Sequence, residues 1–145
     1  MMANNIRTIK ANSTRTTAYQ NQHTIRNFNF LIDIPHALGG ENKAATPTEY
    51  LLSSLNGCLM IVMEMVAKER QLTIQSLTID SEATSDRRGM LGTANVQPYF
   101  LTVDLYITLT VKEDIDIEEF IELSLSRCPT YNLINDSQTK INIHI

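Results

Sequence analysis

The sequence predicts an α+β fold, and three patterns predict it. The first forty residues are rich in Thr, Tyr, Phe and Ile, the residues that strands favour. A long apolar segment opens at Pro47 with the start signals of a helix. After Gln71 come two alternating runs, a second helical stripe and a short alternating tail. The order β–β–α–β–β–α–β has no internal repeat, low-complexity tract or linker, which argues for one α+β domain over residues 1–145.

Each element has a local reason. "TRTTAYQ" and "HTIRNFNFLIDIP" read as strands joined by a turn at "YQNQH". In the second, Ile25, Phe28, Phe30 and Ile32 keep a partial period of two that breaks near Asn27. Pro35 ends it, and "LGGENKAATP" reads as a loop whose double glycine can take positive φ. Thr46 is a suitable N-cap, Pro47 suits the first helical position, and Glu49 completes a capping box. The helix should reach about Arg70. Its Leu51, Leu52, Leu55, Cys58, Leu59, Val62, Met63 and Val66 cover more than one face, so it should be buried nearly all round, at the centre of the molecule or against a second copy. "LTIQSLTIDSEAT" alternates with one slip near Ser76, and "YFLTVDLYITLTV" alternates throughout; the two should form a long antiparallel hairpin. The polar stretch "SDRRGMLGTANVQP" joins them. Asp116 opens a second helix, with Ile117, Phe120, Ile121 and Leu125 on one stripe and Glu118 and Glu119 in the first turn. Pro129 interrupts it after Cys128, and "KINIHI" closes the chain as a strand.

Composition narrows the function classes. At 145 residues the chain can bury one core, and 43% hydrophobic with 19% charged residues is a globular balance. A net charge of −4 speaks against nucleic acid as a partner. The N-terminal stretch has no apolar signal-peptide region. The apolar run around Leu55–Val62 is short of a membrane span, and Glu64, Lys68, Glu69 and Arg70 end it. The expectation is a soluble cytoplasmic protein without membrane contact. The two cysteines lie 70 residues apart, with no Cys-x-x-Cys. His23, His36 and His144 are scattered, so neither a metal nor another cofactor is expected.

The candidate chemistry lies in "SLNGCLMIVMEM". Glycine inside a helix costs about 1 kcal/mol relative to alanine, a cost tolerated where something must approach closely. Asn56 adds an amide to an apolar surface. On these residues alone Cys58 is either a small core filler or a reactive thiol. Cys128 stands between Arg127 and Pro129, where a thiol can be acidified by the guanidinium or simply packed beneath a loop.

Read together, the motifs are more specific. Arg26-Asn27-Phe28, Asp33-Ile34-Pro35, Gly39-Gly40-Glu41-Asn42 and Pro47-Thr48-Glu49-Tyr50-Leu51-Leu52 follow in order. Cys58 comes eleven residues after Pro47, and then "NVQPYF" and "RCPTYNLI". From Arg26 to Ile134 the chain resembles the OsmC/Ohr family, the osmotically induced and organic-hydroperoxide-resistance proteins. The resemblance implies an OsmC-like fold, in which curved antiparallel sheets wrap a long central helix in an intertwined homodimer with active sites at the subunit interface. It also implies a thiol peroxidase active in oxidative-stress defence. Cys58 would be the peroxidatic cysteine and Cys128 the resolving one, closing a Cys58–Cys128 disulfide that an external dithiol reduces. Arg26, in the Arg-x-Phe strand, would stabilise the thiolate, with Arg15 as the alternative further upstream. Leu55, Leu59 and Met63 beside the thiol would favour organic or lipid hydroperoxides as substrates.

One departure from the family pattern is local. The acid that directly follows the motif proline in the well-studied branches is Thr48 here, and Glu49 comes one later. On a straight helix Glu49 and Cys58 are about 180° apart and ~13 Å apart along the axis, so Glu49 serves either the site or only the capping box. The Pro-x-Glu pattern marks a looser OsmC-like branch. The second reading is therefore a dimeric apolar-ligand-binding or redox-sensing protein without significant turnover.

Overall fold

Arg26 and Asn27 turn what the sequence reads as one strand into a hairpin. In the computed structural model, which describes residues 4–145, the N-terminal sheet holds three antiparallel strands: β1 (Asn12–Arg15), β2 (Asn21–Ile25) and β3 (Phe28–Ile32), in that order. Ile25 pairs with Phe28 across the turn, and Arg26 takes φ 53°. That left-handed conformation is uncommon for a residue with a Cβ. It explains why the alternation fails at Asn27 and why two strands were expected where there are three.

The described chain divides into two units, one ending at Tyr50 and one running Leu51–Ile145. In the first, the loop after β3 is organised by Asp33, which is fully buried. Its carboxylate accepts from the Ile34 N–H (2.8 Å), the Lys43 N–H (3.1 Å), the Gln20 amide (3.3 Å) and the Glu41 N–H (3.4 Å). A buried carboxylate is tolerable only with such partners. Gly40 has no alternative there, because a Cβ would run into the Ile34 carbonyl. The capping box forms as expected: the Thr46 N–H donates to Glu49 Oε2 (2.7 Å) and the Glu49 N–H to Thr46 Oγ1 (3.3 Å). It opens α1 (Pro47–Glu69).

The second unit holds the apolar core. Its sheet runs β4 (Ile74–Ser85), β5 (Phe100–Val111), β6 (Lys140–His144). The slip read at Ser76 is a register shift between Ile74 and Ser76. β4 and β5 are antiparallel as expected, but β6 runs parallel to β5, which corrects the all-antiparallel expectation. The cause is the connection: α3 (Ile117–Arg127) and α4 (Pro129–Asn135) carry the chain back before β6 enters, as a parallel pair requires. The polar stretch between β4 and β5 holds a short helix, α2 (Arg87–Leu91), capped by Asp86.

α1 contributes Leu55, Leu59, Val62, Met63 and Val66 to the core, together with Val103, Leu105, Ile107, Phe120 and Ile121. By length and composition α1 could cross a membrane, but four of its apolar residues are wholly enclosed here: Leu55, Leu59, Met63 and Val66. It is not buried all round, because Leu51, Ile61 and Met65 remain 43, 58 and 59% exposed.

Burial pushes the Asp33 carboxyl up, but the N–H groups of Ile34 and Lys43, the Gln20 amide and the Glu41 N–H outweigh it and hold its pKa below the ordinary value. The unfolded chain then binds the proton more tightly. The contribution of Asp33 is fully present above the ordinary carboxyl pKa and is lost as pH falls through the depressed folded value. Asp33→Ala should accelerate amide exchange at Ile34, Glu41 and Lys43 and flatten its acid dependence. Unchanged protection at those three amides would show that the loop is held by something else.

Candidate active site

Cys58 sits midway along α1, where the helix passes from core to surface. Leu55 and Val62, three before and four after it, face inward; Ser54 and Ile61, four before and three after, face outward. The thiol is therefore half-buried. Next to it, a Cβ placed on Gly57 would meet nothing within 4 Å among the described residues, so the close approach that the glycine suggested does not come from them. Asn56 fastens α1 to β4 through Nδ2 and the Ile79 carbonyl (3.3 Å), while its buried Oδ1 has no partner among the described residues.

Cys128 reaches the same place by a different route. The sequence reading put it at the end of one helix, beside Arg127. It is in fact shared, as the C-cap of α3 and the N-cap of α4, with Pro129 in the first turn of α4. The Asn132 side-chain amide locks this corner by donating to the carbonyls of Leu125 (3.1 Å), Ser126 (3.2 Å) and Cys128 (2.8 Å). Arg127 turns away to pair with Glu69 at 2.8 Å. The corner leaves the Cys128 thiol wholly enclosed, with Sγ 3.5 Å from Thr130 Oγ1.

Each thiol acts on the other's ionisation, and Thr130, whose Oγ1 touches the Cys128 sulfur, acts on both. Burial pushes the Cys58 thiol up. The Thr130 hydroxyl, the Thr130 N–H and the Cys128 thiol outweigh it and hold Cys58 below the ordinary thiol value. At Cys128 burial wins: the Thr130 hydroxyl and the Tyr131 N–H pull down, the neighbouring Cys58 pushes up, and the net shift is upward. The N–H groups of Thr130 and Tyr131 lie in the first turn of α4 and have no acceptor within that helix, which leaves them free for sulfur. The two thiols are thus shifted in opposite directions, Cys58 toward ionisation and Cys128 toward the protonated form.

Thr130 was not foreseen from the sequence. The signal was there: Pro at the first helical position, the rule that found α1, also fits Cys128-Pro129 and places Thr130 one residue into a helix.

The other expected site residues lie as follows. Arg26 occupies the β2–β3 turn with its guanidinium 5.0 Å from the centre of the Phe28 ring, and Arg15 ends β1. Among the described residues neither forms an ion pair. The Glu49 carboxylate is engaged in the capping box. Leu55, Leu59 and Met63 are fully enclosed in the core, so they back the Cys58 turn from inside and offer no surface to a ligand. The apolar side chains exposed on that helix are Leu51, Ile61 and Met65. Among the described residues no group of three side chains is arranged to hold a metal.

The family model described as OsmC-like protein matches residues 40–144. No curated protein matches the chain. Among solved structures, an OsmC-like protein from Mycoplasma pneumoniae superposes with a TM-score of 0.80 at 20% identity, covering 95% of each chain. An organic hydroperoxide resistance protein from Legionella pneumophila, also described as a predicted redox protein, gives 0.71 at 17% identity over 98% of this chain and 100% of its own. Another from Elizabethkingia anophelis gives 0.69 at 20% over 98 and 97%. At these identities the likeness is one of fold.

The opposite environments of the two thiols make a direct prediction. Iodoacetamide at pH 7, read by peptide mass, should label Cys58 and spare Cys128 until the chain is unfolded. Equal labelling of both in the folded protein would contradict one accessible thiol and one enclosed one.

Proposed function

The chain belongs to the OsmC-like family, and from that premise we propose that it is a thiol-dependent peroxidase for organic hydroperoxides. The observation that carries this reading is the contrast between a half-buried Cys58 with a lowered pKa and an enclosed Cys128 with a raised one, each thiol acting on the other's ionisation. The Cys58 thiolate attacks the O–O bond of ROOH; the S–O bond forms, the O–O bond breaks and the alkoxide leaves as alcohol, so Cys58 becomes a sulfenic acid. Cys128 displaces the sulfenic hydroxyl as water and closes the disulfide. An external dithiol reduces that bond by two successive exchanges. Relatives of the same fold carry the description organic hydroperoxide resistance protein, which supports a role in the oxidative-stress response.

A cation near the thiolate would stabilise both it and the developing alkoxide, and Arg26, or else Arg15, is the side chain proposed for this. Each has no carboxylate partner among the described residues, so its charge is uncommitted.

The functional form is proposed to be a homodimer in the cytoplasm. Leu51, Cys58 and Met65 recur every seven residues, with Ile61 on the same stripe, which is the spacing of a helix-packing seam. Three large apolar side chains exposed beside a reactive thiol are best covered by a second copy, which would complete the site. The second reading, an apolar-ligand-binding dimer without turnover, draws on an open groove of about 640 Å³ between α1 and β4, lined by Met60, Ile61, Met65, Ile74 and Leu77.

Free-thiol titration before and after one equivalent of cumene hydroperoxide separates the two readings. The peroxidase should lose both thiols within seconds and recover them with a dithiol. Cys58→Ser should lose turnover while folding normally, and Cys128→Ser should stop at the sulfenic acid. Two thiols still titrating after minutes would leave the ligand-binding reading. Ile61→Glu should shift the mass seen by light scattering from dimer toward monomer; a monomeric native chain would remove the seam.

A further inference from the structure

We propose that Ser13 is a second nucleophile of this protein, with His23 as its base and Asn21 as a positioning residue, and that it accepts acyl groups from activated esters. None of this rests on the peroxidase reading, because all three residues lie in the first unit and both cysteines in the second.

Strand register brings the three together. Ser13 on β1 stands opposite His23 on β2, and His23 stands opposite Phe30 on β3, so these side chains share one row and one face of the sheet. Asn21 lies two residues before His23 and therefore on the same face. The Ser13 hydroxyl is 2.9 Å from His23 Nδ1, and Asn21 Oδ1 is 2.5 Å from His23 Nε2. An amide oxygen can only accept, so Nε2 carries the proton and the neutral ring has its lone pair on Nδ1. The serine O–H donates to that lone pair. Packing holds the ring as well: it stacks on Phe30 with centroids 4.8 Å apart and planes 15° apart, and Phe30 leans on Tyr50 at 5.4 Å. His23 is half-buried by these contacts, while Ser13 is exposed. A hydroxyl, a base within hydrogen-bond reach and a third group that fixes the tautomer of the base form the arrangement that activates a serine. Ile25 and Phe28, paired on the same face, give the acyl donor apolar neighbours, which favours aryl or short-chain acyl esters.

The reaction balances without a cofactor. Ser13 Oγ attacks the ester carbonyl as its proton passes to His23 Nδ1. The new C–O bond forms, the bond to the alkoxide breaks, and the imidazolium returns the proton to the alkoxide, which leaves as alcohol. Water then attacks the acyl-serine and gives its proton to His23. The acid departs and Ser13 regains its hydrogen. Each turnover consumes one ester and one water, and nothing is oxidised or reduced.

The probe is p-nitrophenyl acetate, with peptide mass after a short exposure at pH 7. Ser13 should gain an acetyl group about 10²-fold faster than the exposed hydroxyls of Ser53 and Ser54 in the same chain, the lower end of what a positioned base contributes. That rate should fall with pH as the imidazole takes a proton. The other ionisable groups on or behind this face are Arg15 on β1 and Tyr50 behind Phe30. His23→Phe keeps a ring against Phe30 and removes the base, so Ser13 should then react no faster than Ser53 and Ser54. Asn21→Asp keeps the acceptor and adds a charge that favours the imidazolium, so acetylation should persist with its pH midpoint raised. Asn21→Leu should slow it about tenfold, the scale of one hydrogen bond. Circular dichroism establishes that each variant is folded, and His23→Gln replaces phenylalanine should that variant unfold. Native labelling of Ser13 no faster than Ser53 and Ser54, an acetyl group that stays on His23, or labelling that survives loss of the imidazole would each overturn the proposal. An unmoved midpoint in Asn21→Asp would remove Asn21 from it.

Discussion

The site depends on the packing of one helical strip. Leu55, Leu59, Met63 and Val66 are enclosed against Val103, Leu105, Phe120 and Ile121, and each such burial stabilises by about 1.5–3 kcal/mol. That strip fixes the rotation of α1. A helix advances about 100° per residue, so a shift of one position would carry Cys58 either into the core or fully into solvent. Its half-buried station follows from where its neighbours must go. The Asn56 amide on the Ile79 carbonyl adds a polar tie at the same level, which resists sliding along the axis as well as rotation.

The corner between α3 and α4 is the complementary constraint. Phe120, Ile121 and Leu125 seat α3 in the same core, and Cys128 then serves as the end of one helix and the start of the next. Proline at the start of α4 costs no hydrogen bond, because that N–H would be unpartnered anyway. What the corner gains is two N–H groups, on Thr130 and Tyr131, that have no acceptor inside α4. The Cys58 pKa is lowered by neutral groups of its own unit, the Thr130 hydroxyl and N–H and the Cys128 thiol, and burial raises that of Cys128. The chemical difference between the two cysteines is a difference of depth within one fold.

How legible this was differs by residue. The start of α1 was plain because Thr46, Pro47 and Glu49 encode a local hydrogen-bond pattern that needs no tertiary partner. The slip at Ser76 was visible because a register shift changes which side chains alternate. Arg26 hid a turn, since a left-handed residue with a Cβ carries no glycine or asparagine signature at its own position. α4 was missed because Pro129 was read as the end of α3, and proline both ends one helix and begins the next. The direction of β6 was not encoded in "KINIHI" itself; it depends on the path of α3 and α4. Leu55, Leu59 and Met63 were expected to line the thiol's substrate side, and they face the core instead. Periodicity alone does not say which side of a doubly apolar helix meets the sheet.

The way Cys58 is activated also bears on the reaction it suits. Thiolate fraction rises as pKa falls, but intrinsic nucleophilicity falls with it, and the best attacking thiol has a pKa near the ambient pH. A sulfur deeply stabilised by buried charge would be ionised but sluggish. At Cys58 the lowering comes from neutral donors opposed by burial, with no buried charge among its causes. In the proposed disulfide, attack at the Cys58 sulfur must expel Cys128, which burial makes the poorer leaving group, so what favours one sulfur over the other is where the bond is accessible. That place is the Cys58 sulfur, on the exposed edge of α1, with the open space over Gly57 beside it. The glycine that costs helix stability thus leaves open space beside Cys58, on the side where the proposed peroxide and reductant would arrive.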